Sequence, residues 1–183
     1  AMNNRPGVFD EFAHVNVNGF LANENLSLFV TQSNIKNETG YKLGFNVSAV
    51  DSVLSLKMVP LKPVIGYRDW TLNADNFIKF NMQSKHLDAD LSLGNDNSML
   101  KIYTKHDDHD SEAGHQEDII VQASGIRLSD WLSLSPFAPP INGIAGADIS
   151  VGWNPEAKSI SGDGKVTLDD LTYGRDRVGS FLF

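Results

Sequence analysis

The segment Ala147-Asp148-Ile149-Ser150-Val151-Gly152-Trp153 alternates apolar and polar or small residues without a break. A period of two places every second side chain on the same side of a β-strand, so this segment predicts a strand with one dry face and one hydrated face. Residues 154–158 supply a turn, and a second alternating run follows. Its inner side is formed by Ile160, Gly162, Gly164, Val166 and Leu168. Together the two runs predict a β-hairpin.

The same alternation recurs through most of the chain on the amino-terminal side of this hairpin. Further runs cover residues 26–30, 41–49, 53–58, 70–74, 77–82, 87–93, 99–103 and 119–128. A polar, turn-like stretch over residues 34–40 joins the first two runs. Pro60, Pro63 and Gly66 interrupt the ladder, because proline donates no backbone hydrogen bond. The pattern predicts an all-β fold with a long antiparallel sheet of about eleven or twelve strands.

One short helix is predicted near residues 129–135. Ser129 is a suitable N-cap because its hydroxyl can accept a hydrogen bond from a free amide of the first turn. Pro136 would end the helix after a turn or two, since proline disrupts helical hydrogen bonding.

Charge and composition exclude several classes of function. Lys and Arg total 15 and Asp and Glu total 23, for a net charge of −8, which argues against binding to a nucleic-acid backbone. Zero cysteines exclude disulfides, thiol nucleophiles and Cys-ligated zinc. No apolar run reaches eighteen residues, so the sequence predicts no membrane-spanning helix.

Two stretches resemble metal sites without completing one. His106, His109 and His115 lie among carboxylates, but the surrounding Asp, Ser and Gly residues predict a solvated loop over residues 105–118 that does not preorganise ligands. Residues 163–170 resemble the second half of a calcium loop, but Ser159 and Ser161 stand where acidic ligands are needed, so this stretch predicts a strand with a tight turn. We therefore predict neither a metal site nor a cofactor, and no catalytic motif is present.

The three tryptophans lie on apolar sides of predicted elements. Trp70, Trp131 and Trp153 could in principle stack on a sugar ring, but their spacing favours positions in the core or in an interior lining.

Two stretches resemble the repeating hairpins of the TamB family of envelope proteins. One covers residues 141–153 and continues through residues 160–174 and Val178-Gly179, and the other is Trp70-Thr71-Leu72-Asn73-Ala74-Asp75-Asn76-Phe77-Ile78. The resemblance implies a sheet curled into a half-pipe, the β-taco, with an apolar interior. It also implies a periplasmic location within an inner-membrane-anchored protein and an outer-membrane partner of the Omp85 class. The implied role is phospholipid transport between membranes, or assembly and secretion of outer-membrane proteins, without enzymatic activity.

The interior of such a half-pipe would bind lipid acyl chains, because burial of each methylene contributes about 0.8 kcal/mol and needs no polar group. The alternation predicts the following lining residues: Leu43, Phe45, Val47, Leu54, Leu56, Met58, Leu91, Leu93, Ile102, Ile149, Val151, Val166 and Leu168.

An alternative remains open from the sequence alone. Two packed sheets in a β-sandwich would use the same alternation, and such a domain would act as a structural or adhesive module of a cell-surface protein. In either case residues 1–183 form a single β-rich segment, and the apolar stretch from Val178 to Phe183 predicts that it belongs to a longer protein.

Overall fold

The computed structural model describes residues 14–105, 117–132, 138–154 and 158–183. These residues form thirteen β-strands and one helix of five residues. The strands are β1 His14–Ala22, β2 Asn25–Ser33, β3 Thr39–Val50, β4 Val53–Ile65, β5 Arg68–Asp69, β6 Thr71–Leu72, β7 Phe77–Asn81, β8 Leu87–Gly94, β9 Met99–Lys105, β10 Glu117–Arg127, β11 Ile141–Asn154, β12 Ser159–Tyr173 and β13 Asp176–Leu182. The helix, α1, spans Leu128–Leu132 and follows β10 directly.

All thirteen described strands belong to one open sheet. Its order is β1-β2-β3-β4-β7-β8-β9-β10-β11-β12-β13, which gives eleven strand positions, and every neighbouring pair is antiparallel. The two-residue strands β5 and β6 pair with β4 and β8 beside this path. The predicted long antiparallel sheet is therefore confirmed, and the described strands do not form the two-sheet sandwich.

Each strand register matches apolar residues with apolar residues. Val47 lies opposite Leu56, Leu91 opposite Ile102, and Val121 opposite Ile149. Directly opposed residues of an antiparallel pair point to the same face, so these matches extend one apolar face across the whole sheet.

A hydrogen bond between β3 and the helix that follows β10 shows that the sheet curls toward its apolar face. The Tyr41 hydroxyl in β3 donates to the backbone carbonyl of Asp130, three residues after the end of β10. β3 and β10 are five positions apart, so a flat sheet would separate them by about 24 Å. Three residues of chain reach about 10 Å at most, and a tyrosine side chain cannot cover the remaining 14 Å or so. The sheet is therefore curled, as predicted.

The ladder is interrupted where the prolines predict it. Register between β3 and β4 jumps from Gly44 opposite Val59 to Lys42 opposite Val64, which leaves residues 60–63 without partners in β3.

A second interruption separates β6 from β7, and there the Asn76 side chain takes over the role of a backbone pair. The backbone N–H of Met58 donates to Asn76 Oδ1 at 2.8 Å, and Asn76 Nδ2 donates to the Met58 carbonyl at 3.3 Å.

Two details differ from the sequence-based expectations. The helix begins at Leu128, so Ser129 lies inside it and the prediction that Ser129 is the N-cap was wrong. Strand β1 was not predicted, although Val15, Val17 and Leu21 carry the same alternation in a short, asparagine-rich run. The predicted helix end at Pro136 lies outside the described residues.

We expect Asn76→Ala to destabilise the protein by about 2–4 kcal/mol, because it leaves the N–H and C=O of Met58 without partners at a site where Asn76 is 1% exposed. Urea unfolding followed by circular dichroism measures this change. Asn18→Ala on the exposed side of β1 is the matched control and should change stability by less than about 0.5 kcal/mol. Equal effects of the two substitutions would contradict the role assigned to Asn76.

Candidate functional site

The apolar face of the curled sheet is the candidate functional site. It is defined by the residues that the registers place on the same side as Leu43. Its larger side chains are Val15, Val17, Leu21, Leu26, Leu28, Val30, Leu43, Phe45, Val47, Leu54, Leu56, Met58, Ile78, Phe80, Leu87, Leu91, Leu93, Leu100, Ile102, Ile119, Val121, Ile149, Val151, Ile160, Val166, Leu168 and Phe181.

The structure brings all thirteen predicted lining residues onto this one face. Met58, Leu91 and Leu93 are at most 7% exposed and belong to the packed core, while Leu54 is 40% exposed. The other nine are half-buried. That these residues line a groove occupied by acyl chains stays a prediction. The prediction omitted Ile78, Val121 and Phe181, which the same period of two could have identified.

Two tryptophans cover the middle of the apolar face at one end of its strands. Trp70 is 2% exposed, and its indole ring meets that of Trp131 edge to face with centroids 5.7 Å apart. Trp70 Nε1 donates to the Ile65 carbonyl at 3.3 Å, which fixes the ring. We call Tyr41, Ile65, Trp70, Leu72 and Trp131 the tryptophan wall. Trp70 lies in the core, as expected, whereas Trp131 is half-buried and packs against the core; the side chain of Trp153 lies outside the described residues.

Polar contacts tie α1 to this wall. Arg68 Nε lies 2.9 Å from Asp130 Oδ2, and the Asp130 side chain is only 16% exposed. Gly66 adopts φ of +61°, and a Cβ there would lie 2.5 Å from the Cβ of Asp130. A side chain at position 66 would therefore push α1 away, so glycine permits the close approach.

Away from the wall, the apolar face becomes open to solvent. Exposure reaches 63% at Val17 and 73% at Leu21 in β1, and 73% at Ile160 in β12. Among the described residues, only eight hydrophobic residues are buried. The face is therefore dry under the tryptophan wall and increasingly accessible toward both edges of the sheet.

Two glycines leave the apolar face of β12 without side chains at their positions. Gly162 and Gly164 lie opposite Val151 and Ile149. A Cβ at Gly164 would come within 2.8 Å of the Cα of Ile149, and one at Gly162 within 2.9 Å of the Ser150 carbonyl oxygen. The backbones of β11 and β12 approach too closely here for any larger residue.

The opposite face of the sheet is mostly polar, with a few phenylalanines among its charged and polar residues. Its registers set opposite charges side by side: Lys79 with Asp88, Lys105 with Asp118, and Asp148 with Lys165. Such cross-strand pairs contribute about 0.2–1 kcal/mol each. A cleft of about 650 Å³ on this face is lined by Asn73, Phe77, Asp88, Asp90, Ser92, Lys101, Tyr103 and Gln122 among others.

Three further kinds of candidate are a metal site, a calcium loop and a membrane-spanning helix. Within them, no group of three or more His, Asp or Glu side chains could hold a metal ion. The histidine-bearing stretch 106–116 lies outside the described residues. The calcium-like stretch 163–170 lies within β12, so the predicted strand is confirmed, but the turn predicted with it was wrong: the turn follows the strand at residues 174–175. No helix among the described residues is long and apolar enough to span a membrane.

We expect Tyr41→Phe to loosen the tryptophan wall, because it removes the hydrogen bond that ties β3 to Asp130. The expected loss of stability is about 1 kcal/mol, with faster amide hydrogen exchange in α1. Tyr173→Phe is the control, since Tyr173 is 55% exposed at the end of β12. Unchanged exchange in α1 of the Tyr41 variant would refute this role.

None of the protein-family models, curated proteins or solved structures compared with this chain matches it. The likeness to the TamB family therefore rests on the sequence motifs quoted above and stays a prediction.

Proposed function

We propose that this chain is a non-enzymatic segment of an envelope protein whose apolar face carries lipid acyl chains. The supporting observation is the apolar face that crosses eleven strand positions, on which the side chains of the described residues are half-buried or exposed on both sides of the tryptophan wall. A contiguous apolar face of this size that is exposed or half-exposed to water usually marks an interaction surface.

The dimensions of the face fit transport better than storage of one lipid. Eleven positions span about 48 Å at the usual strand spacing. The hydrocarbon of one membrane leaflet is about 15 Å thick, half of a core of about 30 Å. An acyl chain lying across the strands would therefore cover only about a third of the face, and the remaining length offers further equivalent positions.

The chemistry of the face requires no specific polar contact. Each buried methylene contributes about 0.8 kcal/mol, so five methylenes against the half-buried side chains of β9 to β12 supply about 4 kcal/mol. The polar outer face remains in water, which is the arrangement expected of an amphipathic conduit in an aqueous compartment.

The wider role follows from the family resemblance. The segment would belong to a periplasmic, inner-membrane-anchored protein that works with an outer-membrane partner of the Omp85 class through the rest of the parent chain. It would serve phospholipid transport between membranes, or the assembly and secretion of outer-membrane proteins.

We expect Ile149→Lys to reduce acyl-chain binding at least tenfold, because it places a charge in the centre of the apolar face of β11. Ser150→Lys is the matched control: it adds the same charge at the next residue, but on the polar face opposite Asp163. Native mass spectrometry with lipid extraction of the purified chain measures bound lipid, and a fluorescent phospholipid measures affinity.

Urea unfolding of both variants must first establish that they are folded. The proposal would be refuted if the freshly purified protein carried no lipid and bound no fluorescent phospholipid. It would also be refuted if the two lysine variants bound phospholipid equally.

A further inference from the structure

We propose that two adjoining clefts on the polar face of the sheet bind a neutral oligosaccharide. One cleft, of about 650 Å³, lies over β8 and β9, and the other, of about 380 Å³, lies over β3 and β4. Phe77 lines both, so the clefts adjoin at this residue. Each volume falls within the range of about 300–1,000 Å³ that is usual for small-molecule sites. The clefts lie opposite to the apolar face, so their ligand is independent of the proposed lipid function.

The turn between β6 and β7 accounts for the clefts. The sheet curls toward its apolar face, so the polar face is convex, and a convex surface forms no cleft by itself. Residues 73–76 interrupt the path of the strands at this place. Asn73 lines the larger cleft, and Asp75 and Asn76 line the smaller one. The turn therefore lies between the two clefts and forms a wall of each.

Hydrogen bonds fix this turn to the strands on both of its sides. Asn73 Oδ1 accepts from the backbone N–H of Ser92 at 2.8 Å, and Asn73 Nδ2 donates to Asp90 Oδ1 at 3.2 Å. The side chain of Asn76 is held by the two hydrogen bonds to Met58 in β4. Because the turn is held in place in the free protein, a ligand would pay little for ordering it.

Two aromatic residues flank a carboxylate in the larger cleft. Phe77 lies opposite Asp90, and Asp90 lies opposite Tyr103, so the aromatic residues are two strand spacings, or about 10 Å, apart. The Phe77 ring can be reached from solvent, since the exposed Lys79 places its Nζ 4.5 Å from the ring centroid. A sugar ring combines an apolar C–H face, which packs on an aromatic ring, with hydroxyl groups that donate to a carboxylate.

The charges of the clefts favour a neutral ligand. Among the described residues, the ionisable side chains that line them are Asp75, Asp88, Asp90, Lys57, Lys79 and Lys101. The carboxylates and ammonium groups are equal in number, although the whole chain carries a net charge of −8. A charged ligand would therefore meet repulsion as well as attraction, whereas hydroxyl groups can donate to the carboxylates and accept from the lysines. Asn46 and Gln122 add side-chain amides, which can do both.

Neutral tetrasaccharides of glucose, galactose, mannose and N-acetylglucosamine are the probes. The cationic tetramer of glucosamine and the anionic tetramer of galacturonic acid are the charged counterparts of the glucose and galactose probes. We expect at least one neutral tetrasaccharide to bind the full chain and to shift the amide NMR signals of β7, β8 and β9. Both charged tetramers should bind at least about tenfold more weakly than that tetrasaccharide, because the clefts offer no net charge.

Substitutions locate the site. Tyr103→Ala should weaken binding of the tetrasaccharide at least about tenfold, because it removes an aromatic surface, whereas Tyr173→Ala, where Tyr173 is 55% exposed at the end of β12, should leave it unchanged. Asp90→Ala should also weaken binding, and Asp163→Ala on the polar face of β12 is its matched control. Ile149→Lys should leave sugar binding unchanged, so this site and the proposed lipid function can fail separately.

Circular dichroism of the variants establishes that they are folded, and the exposed position of Asp90 keeps the test decisive if Tyr103→Ala is unstable. The oligosaccharide site is overturned if no neutral tetrasaccharide binds, or if a charged tetramer binds more tightly than its neutral counterpart. It is also overturned if Asp90→Ala and Asp163→Ala bind the tetrasaccharide equally, or if the shifted signals belong to strands outside the two clefts.

Discussion

A sheet that is apolar on one face must keep that face from water, and no second sheet among the described residues covers it. Curling is the solution that the structure adopts. The hydrogen bond from Tyr41 to Asp130 joins β3 to α1, which directly follows β10, although a flat sheet would hold β3 and β10 about 24 Å apart. Trp70 and Trp131 pack together in the core that this curling encloses. The core is therefore confined to the part of the face that curling can close, and the rest stays accessible.

The separation of the two faces depends on strand register. A slip of one residue would exchange Ile149 with Ser150 and bring charged side chains onto the apolar face. Burial of the apolar face therefore strongly favours the observed register of every strand pair. The opposite charges on the outer face, such as Asp148 beside Lys165, favour the same register. Where the backbone ladder breaks, Asn76 supplies both a donor and an acceptor to Met58 and so maintains continuity between β4 and β7. The sheet therefore remains continuous across the interruption.

Much of this architecture could be predicted from the sequence, because a period of two is a local signal. It located most strands, the turn over residues 34–40 and one common face for all thirteen predicted lining residues. The tryptophan wall could not be predicted, since Tyr41 and Asp130 are 89 residues apart and nothing local indicates that they meet. The same limit explains why Met58, Leu91 and Leu93 were expected in an open lining, although the wall buries them. β1 was missed because its asparagines weaken the strand signal until β2 provides a partner.

The form of the apolar face determines what kind of selectivity it can have. Where Ile119 to Ala123 lie opposite Ala147 to Val151, and these opposite Gly162 to Val166, the apolar face consists of branched aliphatic residues, alanine and glycine, with no charged residue or amide that could recognise a headgroup. Binding would therefore depend on the length of hydrocarbon that is covered. Two additional methylenes contribute up to about 1.6 kcal/mol, or about fifteenfold in affinity, whereas two headgroups on the same tail would bind almost equally. Discrimination between headgroups would then have to reside in other parts of a transport pathway, and this segment would contribute length and apolar surface.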